Sequence, residues 1–171
     1  MRLDSIHIKY YLDCLMDLRY GGYFGGIRYG HLGANDTSSS YYYVISRLFQ
    51  KYPVKASDVL VDVGCGKGRV INWWLRKGYA NKIVGIELDE NVAAKTMKTF
   101  KKNENVEILC GNAVDAIPAD GTLFYLYNSF NGEVLKEFKD RLKKVCANIE
   151  EVRIYYVNSA VSGLRFAVPE L

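Results

Sequence analysis

The feature that most constrains this chain is a run of alternating glycines between an apolar segment and a helical pattern. Residues 59–63 are apolar except for Asp62, and they lead directly into Gly64-Cys65-Gly66-Lys67-Gly68. Apolar residues at helical spacing resume at Val70. The pattern predicts a strand, a tight loop and a helix, because glycine permits positive φ and lets a ligand approach the backbone closely. The helix that follows directs its first N–H groups towards such a ligand.

A second predicted strand, residues 82–86, ends at Glu87, twenty-three positions after Gly64. In nucleotide-binding βαβ units, an acid about 20 residues after the loop accepts the ribose hydroxyls of an adenosine. We therefore expect a nucleoside site. Dinucleotide loops have the spacing G-x-G-x-x-G, whereas here the third glycine is Gly68 and the position reserved for it holds Arg69. This difference disfavours a cofactor that contains a pyrophosphate.

Together, the sequence Asp-x-Gly-x-Gly-x-Gly and the acid at the end of the next strand resemble motif I and its successor in class I methyltransferases that use S-adenosylmethionine. The resemblance implies that Asp62 and the glycine loop hold the methionine end of this cofactor, and that Glu87 holds the ribose. The cofactor-contacting residues that it implies in this part of the chain are Asp62, Gly64, Cys65, Gly66, Gly68, Glu87 and Leu88.

A third predicted strand, residues 106–110, leads into Gly111-Asn112-Ala113. This tripeptide is similar to the Gly-Asp-Ala with which the same superfamily contacts adenine. The resemblance therefore implies that Asn112 and Ala113 also bind the cofactor. An amide at position 112 can still accept a hydrogen bond from the adenine amino group and donate one to a ring nitrogen.

A fourth predicted strand, residues 123–127, opens onto Asn128-Ser129-Phe130. Ligands of open α/β sheets lie beyond the carboxyl ends of the strands, which places this tripeptide beside the sulfonium of the cofactor. It resembles the Asn-x-Phe of small bacterial class I methyltransferases and, more loosely, the matching loop of non-SET histone-lysine enzymes. The resemblance implies a catalytic, cofactor-contacting Asn128 and substrate contacts by Tyr127, Ser129 and Phe130.

The sequence leaves the methyl acceptor open. For an amine, the side-chain oxygen of Asn128 and the backbone carbonyl of Ser129 would hold hydrogens while positive charge develops on nitrogen. An oxygen acceptor would need a base, and the candidates are His31 and Asp115. The net charge of +4 comes from lysines on predicted helix faces, which are usually solvated. A small molecule or a protein side chain is therefore favoured over nucleic acid, and the oligomeric state stays open.

Alternating strand and helix patterns, with a fifth strand at residues 152–157, predict an α/β fold of the Rossmann-like, three-layer type. We expect a mostly parallel sheet of order 3-2-1-4-5 with helices on both faces. Residues 158–171 are too few for the last elements of a methyltransferase, so we expect an abbreviated C-terminal end, by nature or by truncation. Residues 164–168 could supply one short edge strand.

Residues 1–36 are predicted to form a helix and a Gly/Tyr-rich loop that act as a cap or lid, ahead of a methyltransferase domain in residues 37–171. The loop, residues 20–33, is a lid, a substrate-contacting loop or an irregular connection pinned by its tyrosines. Residues 36–40 are typical helix N-caps. In class I methyltransferases the segment at this place lies over the methionine end of the cofactor, so the resemblance implies that Thr37 or Ser38 could instead bind the methionine carboxylate. The N-terminal helix within residues 1–36 is predicted to pack through apolar residues at helical spacing. They are Ile8, Tyr11, Leu12, Leu15 and Leu18.

Composition and patterning exclude several classes of protein. The first residues are too charged for a signal peptide and no apolar run reaches membrane-spanning length, so we expect a cytoplasmic protein. The four cysteines lie tens of residues apart and only two histidines are present, which favours free buried thiols over a metal site.

Two alternatives to a methyltransferase remain. A non-catalytic module that binds S-adenosylmethionine is favoured by the short C-terminal end. A nicotinamide-dependent oxidoreductase is disfavoured by Arg69 and by the lack of a second mononucleotide-binding half.

Overall fold

The computed structural model describes residues 5–22, 24–25, 39–130 and 132–157, except for the side chains of residues 5–10. Within these residues the helices and strands are, in chain order, α1 Ser5–Arg19, α2 Tyr42–Lys51, β1 Leu60–Val63, α3 Arg69–Arg76, β2 Ile83–Glu87, α4 Glu90–Phe100, β3 Val106–Cys110, β4 Leu123–Tyr127, α5 Gly132–Val145 and β5 Arg153–Val157.

Several predictions fall outside the described residues. They concern most of the Gly/Tyr-rich loop, the boundary between residues 36 and 37, the base candidate His31, the polar residues Thr37 and Ser38, and the edge strand at residues 164–168.

The described strands form one sheet in the order β3-β2-β1-β4-β5, and every pairing is parallel. Strand β1 lies at the centre, where Asp62 pairs with Gly85 of β2 and with Tyr125 of β4. All four residues of β1 are buried, as a strand enclosed on both faces requires. The predicted fold class and strand order are confirmed.

Two apolar clusters cover the two faces of this sheet. The first joins α2, α3 and α4 to the sheet around Phe49, whose ring centre lies 5.4 Å from that of Trp73 and 5.7 Å from that of Tyr155. The second joins α5 through Phe138 and Leu142, which are fully buried. Successive residues of a strand point to opposite faces, so β1 contributes side chains to both clusters. The helices therefore lie on both faces of the sheet, as predicted.

Helix α1 packs through a different face from the one predicted. Tyr11, Leu15 and Leu18 are 61%, 62% and 68% exposed, whereas Asp13 and Asp17 are buried. Leu12 is also exposed. The expected apolar packing face is therefore wrong for these residues, because the two acids find a cationic partner on α3 that the local pattern does not reveal.

Helix α2 begins later than its predicted caps. Its N-cap is Tyr41, which makes no side-chain capping hydrogen bond. Ser39 Oγ instead donates to the carbonyl of Phe24, and Ser40 Oγ accepts from the hydroxyl of Tyr125. The capping role is therefore wrong for these two serines, since each has a tertiary partner.

The cysteines are free, as expected, but not all are buried. Cys65 and Cys146 are buried, whereas Cys110 is exposed and Cys14 is half-buried, so the expectation of buried thiols is wrong for the latter two. Within the described residues no cluster of His, Cys, Asp and Glu has the arrangement of a metal site. None of the described helices combines the length and apolarity needed to cross a membrane.

The contact between β2 and its neighbours gives a first prediction. A Cβ atom at Gly85 would lie 2.8 Å from Cδ1 of both Ile71 and Ile108, and 2.9 Å from Sγ of Cys65. We expect Gly85→Ala to lower the free energy of unfolding by about 1–3 kcal/mol, because overpacked cores must shift side chains or backbone.

Chemical denaturation measures this change. Gly132→Ala is the matched control, since a Cβ there meets nothing within 4 Å. Equal stability of Gly85→Ala and the control would contradict the prediction.

Candidate cofactor site

The glycine loop between β1 and α3 has the conformation that its composition predicts. Gly64, Gly66 and Gly68 have φ values of 74°, 53° and 83°. The amides of Gly64 and Cys65 both donate to the carbonyl of Ile86, at 2.8 and 2.9 Å. These bonds tie the loop to the end of β2 and hold its backbone beside the start of α3.

Gly68 serves packing as well as loop geometry. A Cβ atom at this position would lie 2.3 Å from Cε2 of Phe100, on α4. The third glycine therefore lets α4 approach the loop. A sequence motif alone does not show whether such a glycine makes room for a helix or for a ligand.

Glu87 stands at the carboxyl end of β2 and braces the loop. Its Oε2 accepts from the amide of Gly66 at 2.8 Å, and its Oε1 accepts from the amide of Asp89 at 2.9 Å. Each carboxylate oxygen has a second lone pair. The half-buried side chain can therefore accept two ribose hydroxyls without losing its contacts to the backbone.

Asp62 lies beneath the loop as a buried acid with an unmet acceptor. Its side chain is only 4% exposed, and its Oδ2 has no hydrogen-bond partner within the described part of the chain. Burial, and secondarily the charge of Glu87, raises the pKa of Asp62 to about 8. Such a group gains most from a ligand that brings an N–H donor or a positive charge.

A cavity of about 30 Å³ adjoins this acid. A volume of about 10–15 Å³ holds one water, so the cavity accommodates two or three waters or the polar end of an amino acid. The residues that line the cavity are Ser39, Ser40, Asp62, Gly64, Cys65, Gly66, Arg69, Val70 and Tyr127.

Asn128 follows β4 in a backbone conformation that side chains rarely adopt. Its φ is +49°, and it is the one non-glycine residue with positive φ in the described segments. Its backbone N–H donates to the carbonyl of Val157 at 2.9 Å. Asparagine tolerates the left-handed region better than most residues, and strain of this kind concentrates at functional sites.

Ser129 brings this turn against the glycine loop. Its Oγ donates to the carbonyl of Val63 at 2.8 Å, and a Cβ atom at Gly64 would lie 3.3 Å from the same oxygen. The structure thus places Asn128 and Ser129 beside the loop after β1. Tyr127, the residue before them, lines the cavity.

The other candidate residues lie around this centre. Phe130 packs on Phe138, with ring centres 5.3 Å apart, and does not line the cavity. Leu88 is 39% exposed next to Glu87. The loop after β3 starts beside Glu87, because Gly111 N donates to the Glu87 carbonyl.

That loop carries the remaining predicted contacts. Asn112 Oδ1 accepts from the amide of Val114 at 3.0 Å, while Ala113 is buried. The base candidate Asp115 is exposed in the same turn and does not border the cavity.

Sequence reasoning missed Arg69, which it used only as a departure from a dinucleotide motif. Its guanidinium is buried, borders the cavity and pairs with Asp17 of α1, from Nε at 3.0 Å and from Nη2 at 2.7 Å. The available signal was the presence of two acids, Asp13 and Asp17, one helical turn apart among the apolar residues of the predicted helix.

The state of Asp62 leads to a prediction about pH. Because its pKa is about 8 in the folded protein and about 3.9 in an unfolded chain, the folded state binds more protons between these values. Stability attributable to Asp62 therefore falls as the pH rises through this window. We expect the wild type to lose stability relative to Asp62→Asn between about pH 5 and pH 8, by at most about 1.4 kcal/mol per pH unit.

Thermal unfolding of both proteins across this range, without ligand, measures the difference. Parallel pH profiles for the wild type and the variant would show that Asp62 is ionised in the folded protein.

Comparison with solved structures identifies the same fold in other proteins. The Escherichia coli protein yhhF matches with a TM-score of 0.63 and 22% identity, over 85% of this chain and 80% of that one. An RNA methyltransferase from Salinibacter ruber, in complex with S-adenosyl-L-homocysteine, matches with a TM-score of 0.57 and 21% identity, over 78% of this chain and 86% of that one. At these identities the likeness shows the fold alone.

Sequence comparison adds a relative and a family. A protein-lysine N-methyltransferase of Saccharolobus islandicus (strain REY15A) is 26% identical over 105 residues, which cover 58% of this chain and 65% of that protein. The match thus spans less than two thirds of the relative's length. A family model described as a methyltransferase domain matches residues 60–153, more than half of the chain. This match, on the parallel sheet and glycine loop described above, shows that the chain belongs to the methyltransferase domain family and has the class I, Rossmann-like fold of its S-adenosylmethionine-dependent members.

Proposed function

We propose that this protein transfers a methyl group from S-adenosylmethionine to an amine nitrogen. The observation that carries the proposal is the position of Asn128, which directly follows β4 and precedes Ser129, whose Oγ donates to the carbonyl of Val63 just before the glycine loop. A neutral amide oxygen there can accept hydrogens from an amine beside the cavity that the buried Asp62 adjoins.

The side chains at this edge of the sheet are chemically suited to hold S-adenosylmethionine. Asp62 would take the ammonium of the methionine moiety, because its buried Oδ2 has no partner within the described residues. Glu87 would take the ribose hydroxyls at its second lone pairs. Leu88, Asn112 and Ala113 follow from the ends of β2 and β3, on the side away from Asn128 in the strand order. They would contact the adenine.

The chemistry asked of the chain is chiefly placement. Bound S-adenosylmethionine supplies an electrophilic methyl group on sulfur. Alignment of an attacking lone pair supplies much of the acceleration in such a displacement. The side-chain oxygen of Asn128 and the carbonyl of Ser129 would hold the amine hydrogens and stabilise charge as it develops.

Aromatic rings complete the acceptor side. Tyr127 borders the cavity and is half-buried, so its ring can shield the reacting amine from water and attract its positive charge. Phe130 leans on Phe138 of α5, and its carbonyl accepts from the hydroxyl of Tyr156 at 3.3 Å. We assign the main contact to Tyr127 and a supporting one to Phe130.

The relative favours a particular class of amine. Its name states that it methylates protein lysine, and a lysine side chain is a primary amine on a long apolar stem. We infer that the acceptor is a lysine of a protein rather than a nucleic acid base. No base is assigned among the described residues, since an amine that arrives unprotonated already carries its lone pair.

The first test of the cofactor assignment is Glu87→Ala. We expect it to weaken binding of S-adenosylmethionine by about 1–3 kcal/mol, because two ribose hydroxyls lose their acceptor. Titration calorimetry measures the affinity. Glu90→Ala is the matched control, an exposed acid three residues later on α4. If both folded variants bind as tightly as the wild type, the adenosine lies elsewhere.

The test of the catalytic assignment is Asn128→Ala together with Asn128→Gly. Glycine removes the amide without strain at φ +49°, which separates lost chemistry from a backbone effect. We expect both variants to keep cofactor affinity within a few fold while methyl transfer falls about 100-fold, as when one transition-state hydrogen bond is lost.

The assay begins with the wild type, because the acceptor must first be found. Lysine peptides, small amines, phenols and RNA are screened with a labelled methyl donor. Variants as active as the wild type would leave Asn128 as a loop residue only. Tight cofactor binding without transfer to any acceptor would make a non-catalytic binding module the better interpretation.

A further inference from the structure

Asp17 of α1 is saturated with hydrogen bonds although it lies outside the predicted site. Its Oδ1 accepts from Arg69 Nε at 3.0 Å and from the hydroxyl of Tyr42 at 2.7 Å. Its Oδ2 accepts from Arg69 Nη2 at 2.7 Å and from the amide of Phe24 at 3.1 Å. The carboxylate is fully buried, and each of its oxygens has two donors, which fills its lone pairs.

Arg69 carries this connection to the cavity. It is the first residue of α3 and lines the cavity beside Val70. Its Nη1 donates to the carbonyl of Ser40 at 3.1 Å and approaches Asp13 Oδ2 at 3.4 Å. Ser40 is itself a wall of the cavity. The guanidinium therefore links α1 to two separate parts of the cavity lining.

The start of α3 is where an amino-acid carboxylate would lie. The N-cap, Gly68, offers no side chain to the first amides of the helix, and a helix N-terminus attracts anions. Asp62 lines the same cavity, is more than nine-tenths buried and has an oxygen without a partner in the described residues, so it would attract the amine. The cavity thus presents complementary groups to the two charged ends of one amino acid.

Stability alone does not account for the orientation of α1. Its leucines are exposed while its acids are buried, and a buried ion pair is often no more stabilising than apolar residues in the same place. A bidentate Arg–carboxylate pair does fix direction, because both groups are planar and share two hydrogen bonds. The pair is therefore suited to holding Arg69 in one position.

We propose, on the basis of the function proposed above, that Asp17 is a positioning residue for the amino-acid end of the cofactor, acting through Arg69 on the cavity walls. Asp17 itself touches no ligand. It fixes the guanidinium, and the guanidinium fixes Ser40 and the start of α3.

The test compares two ligands that differ only at this end of the molecule. S-adenosylhomocysteine has the amino-acid group and 5′-methylthioadenosine lacks it. In Asp17→Asn an amide nitrogen replaces one acceptor of Arg69. We expect its dissociation constant for S-adenosylhomocysteine to rise about tenfold or more, while that for methylthioadenosine stays within about twofold.

Asp58→Asn is the matched control. Asp58 is another buried acid paired with an arginine, Arg153, but it precedes β1 at the opposite end of the sheet from the glycine loop. It also accepts from the hydroxyl of Thr122 at 3.1 Å. We expect Asp58→Asn to lower the melting temperature without changing the affinity ratio of the two ligands.

A loss of affinity for both ligands alike in Asp17→Asn, or for neither, would overturn the inference. If that variant shows no cooperative unfolding, Arg69→Lys is judged by the same ratio, since lysine keeps the charge but not the two parallel bonds. A wild type that binds neither ligand would contradict the proposed function itself. A wild type that binds both, without a selective loss in the variants, would contradict only the role of Asp17.

Discussion

The structure depends on a central strand that is buried on both faces and paired in parallel on both edges. Because all strands run in the same direction, their carboxyl ends meet at one edge of the sheet. The glycine loop after β1, Glu87 at the end of β2 and Asn128 after β4 therefore converge although they are far apart in sequence. The register of strand pairing is also a constraint on the site. A shift by one residue would turn Asp62 to the opposite face of the sheet, away from the cavity.

Two buried acids, Asp17 and Asp62, differ in how fully their oxygens are hydrogen-bonded. Asp17 has every lone pair filled, by a guanidinium, a hydroxyl and an amide, so it stabilises the arrangement of α1 without a ligand. Asp62 has an oxygen with no partner in the described structure, and burial raises its pKa. An acid in that state is poorly accommodated until a donor or a cation arrives. The first acid thus shapes the cavity, and the second favours its occupation.

Backbone conformation separates the roles of residues that a motif treats alike. Gly64 and Gly66 take positive φ values that form the loop. Gly68 does so too, yet a side chain there would also collide with Phe100. Asn128 adopts a comparable conformation without being glycine, which asparagine tolerates better than most residues. The positive φ values near the site are therefore concentrated in the loops where β1 and β4 end.

The sequence by itself determined the strand order, the glycine loop and the placement of Glu87 at the end of β2. These follow from periodicity and glycine content, which act over a few residues. Only the tertiary structure decided which face of α1 packs and what Arg69 does. The partner of Asp17 lies fifty-two residues further along the chain. No local pattern reports a contact at that separation, because whether a buried charge is tolerated depends on the partner that folding brings to it.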